Sequence, residues 1–312
     1  MSLLGVLIEN TTSFFILLFH MCTLWPYEVI RSWLPRSRKN INGEILFITG
    51  AGSGIGRGMA IRFAAAGATV VCTDVNKETS AETATMITEA GGKAHSFKLD
   101  VTDRHAVYKL ADHIKQEIGA VTMLVNNAGI VTGRHFLECT DELMIKTMDV
   151  NTISHFWTLK AFLGEMKANN HGHIVSIASI AGYGGSPSLV DYCASKFGAV
   201  GIAESLAVEL AKDFSGVKVT TICPWFIGTG MFEGTKSCSP ITLPMLQPDY
   251  AADTIVASVL NDEEIVFIPR ILSLVVIAAS ILPVSVSMKL AEYLKLHDQM
   301  VGFKGRETKK VE

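Results

Sequence analysis

Charge is what this sequence has least of. Aspartate, glutamate, lysine and arginine make up 18% of its 312 residues, against 49% apolar residues. A soluble domain usually carries about 25% charged residues. The 27 basic residues do not outnumber the 30 acidic ones. No basic surplus therefore exists to neutralise a phosphate backbone, which excludes nucleic acid as an electrostatic partner. Paired metal-binding cysteines are missing too. Six cysteines are scattered with no CxxC and no His/Cys cluster, so neither a metal site nor a disulfide framework is implied. They read as small buried hydrophobes of a reducing compartment. Internal repeats and low-complexity linkers are also missing, and the apolar content excludes disorder. What remains to be explained is where the apolar excess sits.

Part of it lies at the start. Leu3 to Trp25 holds one charge, Glu9, and as a helix would extend about 34 Å, enough for a bilayer core of about 30 Å. Glu9-Asn10-Thr11-Thr12 weakens the first half and leaves Phe14–Trp25 as the strong part. Trp25, Tyr27 and Trp33 suit a membrane interface, and Arg31, Arg36, Arg38 and Lys39 keep the following domain on the cytosolic side. The basic start and small-residue cleavage site of a signal peptide are absent. Residues 1–35 are thus expected to form an N-terminal membrane anchor. A second apolar stretch, Ile271–Met288, is bracketed by Arg270 and Lys289 and interrupted by Pro283. As one helix it reaches about 27 Å, marginal for a span. Lys304, Arg306, Lys309 and Lys310 follow, and a crossing would put them on the wrong face. Residues 269–312 are expected to sit at the interface, or else to pack as a core helix on the preceding domain.

Between these segments strand and helix alternate. Ile45–Ile48, Thr69–Cys72, Ala94–Leu99, Met123–Val125, Ile174–Ile177 and Val217–Cys223 are short apolar runs. Helical patterns separate several of them, at Arg57–Ala66, Val107–Ile118, Phe156–Met166 and Phe197–Leu210. Such a pattern predicts an α/β domain over residues 41–268, with a doubly wound parallel sheet and helices on both faces. Ligands of such sheets bind at the carboxyl ends of the strands.

The chemistry-bearing residues fall at those ends. After the first strand comes Thr49-Gly50-Ala51-Gly52-Ser53-Gly54-Ile55-Gly56. Its glycines allow a tight turn that brings backbone N–H groups to a pyrophosphate at a helix N-terminus. Asp74 ends the second strand, 18 residues after Gly56, where an acid hydrogen-bonds ribose hydroxyls and repels a 2′-phosphate. NAD is therefore favoured over NADP, with Arg57 beside the turn keeping NADP open. Tyr192 and Lys196 lie four apart on a helical pattern and share a face. An ammonium beside a phenol favours the phenolate, which suits Tyr192 as a general base or acid. Ser179 follows the fifth strand, placed to hydrogen-bond a substrate oxygen. His171 and His173 read as surface turn residues, and His155 as a helix residue without a ligand role. The greasy loop Phe226–Leu246 reads as a lid over a lipophilic substrate.

The TGxxxGIG spacing of Thr49–Gly56 resembles the short-chain dehydrogenase/reductase family, whose fold is a Rossmann-type sheet. Asp100-Val101 resembles its adenine-contacting pair, and Asn126-Asn127-Ala128-Gly129 its NNAG turn. Asn151, Ser179, Tyr192 and Lys196 stand where the family has its catalytic tetrad. Pro224, Ile227 and Thr229 match its segment after the sixth strand, though Trp225 replaces the usual glycine. The resemblance implies that Gly50, Ser53, Gly54, Ile55, Gly56, Asp74, Asp100, Val101, Asn127, Ala128, Pro224, Ile227 and Thr229 hold the cofactor with Tyr192 and Lys196. It also implies that Lys196 holds the nicotinamide ribose and that Asn151 positions a water reaching Lys196. The runs Asn127–Gly133, Phe156–Leu163 and Thr229–Phe232 resemble a membrane-associated subgroup of that family. It contains epidermal-type retinol dehydrogenases and lipid-droplet 17β-hydroxysteroid dehydrogenases. That implies a lipophilic alcohol as substrate, retinol foremost, with steroid or fatty alcohols as the alternative. A homodimer through the helices after Asn151 and Tyr192 is a further implication. So is a place on the endoplasmic reticulum membrane or lipid droplets with the catalytic domain facing the cytosol. A non-catalytic membrane scaffold would be expected to lose a tetrad residue, and here all four persist.

Overall fold

The computed structural model describes residues 11–20, 22, 23, 27, 38–235, 243–293, 300 and 302–305. The chain divides into two compact units, Met1–Arg38 and Lys39–Glu312. In the first, residues 11–20 are helical and Phe14, Phe15, Ile16, Leu17, Leu18 and Phe19 are all exposed. Among the described residues no helix is long and apolar enough to cross a membrane. Much of the anchor expected from sequence, residues 1–10 and 28–35 with Trp25, lies outside the described residues.

The second unit carries β1 (Ile45–Thr49), α1 (Gly54–Ala65), β2 (Thr69–Asp74), α2 (Lys77–Glu89), β3 (Lys93–Lys98), α3 (Arg104–Glu117) and β4 (Met123–Asn126). There follow α4 (Asp141–Met148), α5 (Ser154–Ala168), β5 (Gly172–Ile177), α6 (Val190–Asp213), β6 (Val217–Pro224), α7 (Pro248–Leu260) and β7 (Ile265–Ile268). The strands form one sheet in the order β3-β2-β1-β4-β5-β6-β7, and every neighbouring pair is parallel. The order reverses between β1 and β4, the switch point where open α/β sheets bind ligands.

Continuous apolar strands are explained by two layers of helices. Leu46 and Ile48 point into one core with Met59 and Phe63 of α1 and Ile255 and Val259 of α7. Phe47 and Leu124 point into the other with Ile114 of α3, Phe162 of α5 and Leu210 of α6. Successive side chains alternate between layers, so a strand covered on both sides must be apolar throughout. β3 is the exception. It is an edge strand, part polar, with Lys93 and Lys98 exposed at its ends, charges that discourage pairing with another sheet.

Four elements escape the sequence reading: α2, α4, α7 and β7. In α2 the reason is visible. Its buried face is Ser80, Thr83, Ala84 and Ile87, so no apolar stripe announces it. The hydroxyls are satisfied instead by strand and turn carbonyls, Ser80 donating to Cys72 (2.9 Å) and Thr83 to Ala51 (2.9 Å).

Two expectations are corrected. His171 is exposed, Nε2 3.0 Å from Glu44, but His173 is not a surface residue. β5 begins one residue before it, so its ring is buried in the sheet. Thr220 donates to the Glu263 carbonyl (2.6 Å) and so accepts from His173 Nε2 (2.8 Å), which leaves Nδ1 to accept from Lys39 Nζ. Burial, with Lys39 adding to it, holds the ring well below its ordinary pKa and neutral. Trp225, which stands in place of the family's glycine, keeps the strand path: its N–H donates to the Ile268 carbonyl (2.7 Å) and prolongs the β6–β7 ladder. Finally, Ile271–Met288 is not one helix but two, α8 (Leu272–Ile281) and α9 (Val284–Tyr293). They part at Leu282, whose backbone is extended, because the following Pro283 disfavours helical geometry before it and lacks an N–H.

Candidate active site

The Thr49–Gly56 turn closes only because it is made of glycine. A Cβ on Gly56 would stand 2.0 Å from the Gly50 carbonyl oxygen, and one on Gly52 would stand 2.3 Å from Thr79 Oγ1. Gly50 and Gly54 adopt positive φ values of 66° and 55°, which an L side chain rarely tolerates. Asn127 braces the turn from the next strand end, donating through Nδ2 to the carbonyls of Thr49 (2.8 Å) and Gly50 (3.1 Å). The backbone N–H groups of Asn127 and Ala128 bond to Thr49 Oγ1, each at 2.9 Å. At the N-cap of α1 the Ser53 side chain makes no capping bond, and Ser53, Gly54, Ile55 and Gly56 all line the cavity. Backbone donors at a helix N-terminus, with no Cβ in the way, fit a pyrophosphate.

Asp74 stands where the ribose of such a cofactor would lie. Oδ2 accepts from Gly52 N (2.9 Å) and Oδ1 from Asn76 N (3.0 Å), which fixes the carboxylate on the cavity wall. Arg57 turns away. Its guanidinium donates to the Gly52 carbonyl (2.6 Å), to Thr83 Oγ1 (3.0 Å) and to Glu82 (2.9 Å). It is committed to the outer side of the turn. Asp100, bonded to Thr102 N (3.0 Å) and Oγ1 (2.7 Å), and the buried Val101 form the next part of the wall.

Ser179, Tyr192 and Lys196 meet across the cavity. β5 delivers Ser179, and the first turns of α6 deliver the other two, four residues apart on one face. Tyr192 and Lys196 are both buried. Lys196 Nζ lies 5.7 Å from the Tyr192 ring centre and donates to the Ile177 carbonyl at 2.8 Å. Burial lowers the ammonium to about 8. Burial also pushes the Tyr192 phenol upward, against a hydrogen bond with Ser179 that draws it back. The sequence expectation, a phenol lowered by its lysine, is thus outweighed by loss of solvent. His155 is neutral: its own burial, then Lys196, holds it to about 3.

Asn151 does not stand on the cavity wall. It lies in one π-helical turn, Asp149–Ile153, and is fully buried. Its Oδ1 accepts from Ile130 N (2.8 Å), while Nδ2 donates to the Ile130 carbonyl (2.9 Å) and Ser195 Oγ (2.9 Å). It pins the loop after β4 to α6. A Cβ on Gly129 would stand 3.4 Å from Asn151 Oδ1 and 3.8 Å from Lys196 Nζ, so the glycine leaves open the gap between amide and ammonium.

Gly50, Ser53, Gly54, Ile55, Gly56, Asn127, Ala128, Pro224, Ile227 and Thr229 line the same cavity as the three catalytic candidates. Its volume is about 1100 Å³. Much of the remaining wall is apolar. Phe226 and Phe232 of the expected lid pack edge to face, 5.0 Å between centroids, and Leu272, Val276 and Ala279 of α8 line the same cavity. The remainder of the lid, residues 236–242 with Cys238 and Pro240, lies outside the described residues. Two contributors escape the sequence reading. Asp191 is buried, and Thr132 Oγ1 lies 2.8 Å from each of its carboxylate oxygens. The place of α8 and α9 on the cavity wall is the other. No local pattern signals either, because both depend on segments far apart in sequence.

Among the described residues no cluster could hold a metal ion. A family model described as short chain dehydrogenase matches residues 44–238. The chain is 48% identical over 278 residues to epidermal retinol dehydrogenase 2 of Mus musculus, covering 88% of this chain and 90% of that protein. Of solved structures, a short chain dehydrogenase/reductase from Burkholderia phymatum in complex with NAD is similar at a TM-score of 0.68 and 27% identity, over 75% of this chain and 92% of that one. A metagenomic short-chain oxidoreductase in complex with NADP is similar at a TM-score of 0.62 and 28% identity, over 73% of this chain and 96% of that one.

Proposed function

From the premise that this chain belongs to the short-chain dehydrogenase family, we propose that it interconverts retinol and retinal with NAD, working at a lipid surface. The observation that carries the reading is one cavity in which the glycine turn, Ser179, Tyr192, Lys196 and the apolar side chains of Phe226, Phe232 and Val276 meet. When bound, the nicotinamide cofactor accepts or returns the hydride. The chain supplies placement and the proton. Tyr192 takes the proton of the alcohol at its phenolic oxygen, or gives it to the carbonyl in reverse. Ser179, hydrogen-bonded with Tyr192, orients the substrate oxygen. Lys196, at about 8, is mostly charged at neutral pH and stabilises the phenolate. The gap beside Gly129 leaves room for a water linking Lys196 to Asn151.

Two observations support NAD over NADP. The fixed Asp74 carboxylate would repel a 2′-phosphate, and Arg57 is spent on Gly52 and Glu82. The membrane reading rests on exposed apolar surface. Phe14–Phe19 is one patch. The outer face of α8 is another: Ile271, Leu274, Ile277 and Ile281 are each more than half exposed, while Leu272, Val275, Val276 and Ala279 line the cavity. A helix that is apolar on both faces suits burial or a lipid interface. It also gives a water-insoluble alcohol a short way in. We place the enzyme on the endoplasmic reticulum membrane or lipid droplets, facing the cytosol. Exposed Phe156 on α5, with Phe197 and Val208 on α6, supports a homodimer through those helices.

Purified membranes containing the protein are expected to turn over all-trans-retinol with NAD, at a kcat/KM about tenfold or more above that with NADP. Oxidation of estradiol or a fatty alcohol in place of retinol would shift the substrate to the alternative class. Turnover of no lipophilic alcohol despite NADH binding would leave a scaffold. Deleting residues 1–35 is expected to release the protein from sedimented membranes. Continued pelleting that disappears on adding Leu274→Glu and Ile277→Glu would move the anchor to α8.

A further inference from the structure

Met300 and Gly302–Gly305 lie beyond the last strand and helices in sequence, yet Phe303, Lys304 and Gly305 are built into the wall of the active site. Met300 is buried in a cluster with Leu189, Tyr192 and Cys193. The Phe303 ring lies flat against Gly133 of the loop after β4: a Cβ there would stand 2.1 Å from the ring. The backbone N–H of Lys304 donates to the Glu233 carbonyl at 2.9 Å, and that of Gly305 at 3.3 Å. Glu233 directly follows the Gly230–Phe232 turn of the lid. A Cβ on Gly234 would stand 2.2 Å from the Gly302 carbonyl oxygen. The segment therefore joins both loops that border the catalytic tyrosine, and Phe303 itself faces the cavity.

We propose that Gly302–Gly305 is a strap closing over the substrate end of the cavity, with Phe303 the residue that sets what shape of alcohol fits. The inference rests on the retinol reading for its probe and on the geometry for its placement. Gly133 is glycine because the ring occupies the space of a side chain. The strap is held to the lid by backbone hydrogen bonds, so changing the Phe303 side chain leaves the strap in place and alters only the wall. One methylene of misfit in an apolar pocket costs about 10- to 200-fold in discrimination, so an aromatic ring is ample to decide between substrates.

The test is binding of retinol to full-length protein in detergent with NADH bound, read from retinol's own fluorescence. Phe303→Trp is expected to weaken retinol about tenfold or more, with the NADH dissociation constant and the melting temperature unchanged. Phe303→Ala, which sets the wall back, is expected to raise affinity for estradiol, whose rigid fused rings are broader than the retinol polyene, relative to retinol by a similar factor. Retinol and estradiol affinities that both stay at wild-type values would overturn the inference. So would a loss of NADH binding in step with retinol, which would mean general damage. Should wild-type protein bind retinol without oxidising it, the catalytic reading fails while the Phe303 shifts still decide the strap.

Discussion

Tyr192→Phe is expected to lower kcat for alcohol oxidation by about 10²- to 10⁴-fold, the usual contribution of a positioned general base. The dissociation constant for NADH should change by no more than about twofold. The substitution removes one oxygen and leaves the ring, so its packing with Met300 and its edge contact with Phe232 survive. What disappears is the group able to hold the alcohol proton beside Ser179. Lys196 cannot take over, because its Nζ donates to the Ile177 carbonyl and lies 5.7 Å from the ring centre. His155 is buried and neutral, and neither it nor Cys223 stands on the cavity wall. Stopped-flow absorbance of NADH formation, paired with a NADH fluorescence titration, separates the two quantities. Activity within about tenfold of wild type would remove Tyr192 from the mechanism.

Gly56→Ala is the second large effect, and it acts on binding. The new methyl would stand 2.0 Å from the Gly50 carbonyl and 2.6 Å from Asn127 Nδ2. Neither neighbour can yield cheaply. Gly50 is backbone held at positive φ, and Asn127 is tied to Thr49 and Gly50. The turn must open, which moves the first N–H groups of α1 off the pyrophosphate position. Losing one such bond to a charged group costs about 1.5–3 kcal/mol, so cofactor affinity should fall about ten- to hundredfold. Calorimetric titration with NADH reads this directly. Circular dichroism should report an intact fold, because the clash lies in the turn and not in either core.

How far the sequence alone carries can be judged from these residues. The glycine turn and Asp74 were legible because their spacing is local: a strand, a turn and a helix lie within one short stretch. Tyr192 and Lys196 were legible because helical periodicity places them on one face. The parallel sheet was legible because two helical layers force its strands to be apolar on both sides. Where the reading stopped, tertiary partners decide. His173 looks like a turn residue until Thr220 and Lys39 are brought to it from distant segments. α2 hides because serine and threonine hydroxyls find strand and turn carbonyls. That Asn151 also secures Ile130 and Ser195 from behind the wall is not legible, because those partners come from distant segments. The strap was out of reach, since nothing near Phe303 in sequence announces Gly133.

The central claim is that Tyr192, Ser179 and Lys196 serve hydride transfer from a lipophilic alcohol. Its most direct measurement uses retinol doubly deuterated at the carbinol carbon, incubated with NAD and the full-length protein in lipid vesicles, with the products read by mass spectrometry. Expected are monodeuterated retinal and an equal amount of NADH carrying one deuterium, both lost in Tyr192→Phe. Retinal formed without deuterium on the cofactor, or deuterated NADH formed equally well by Tyr192→Phe, would contradict it.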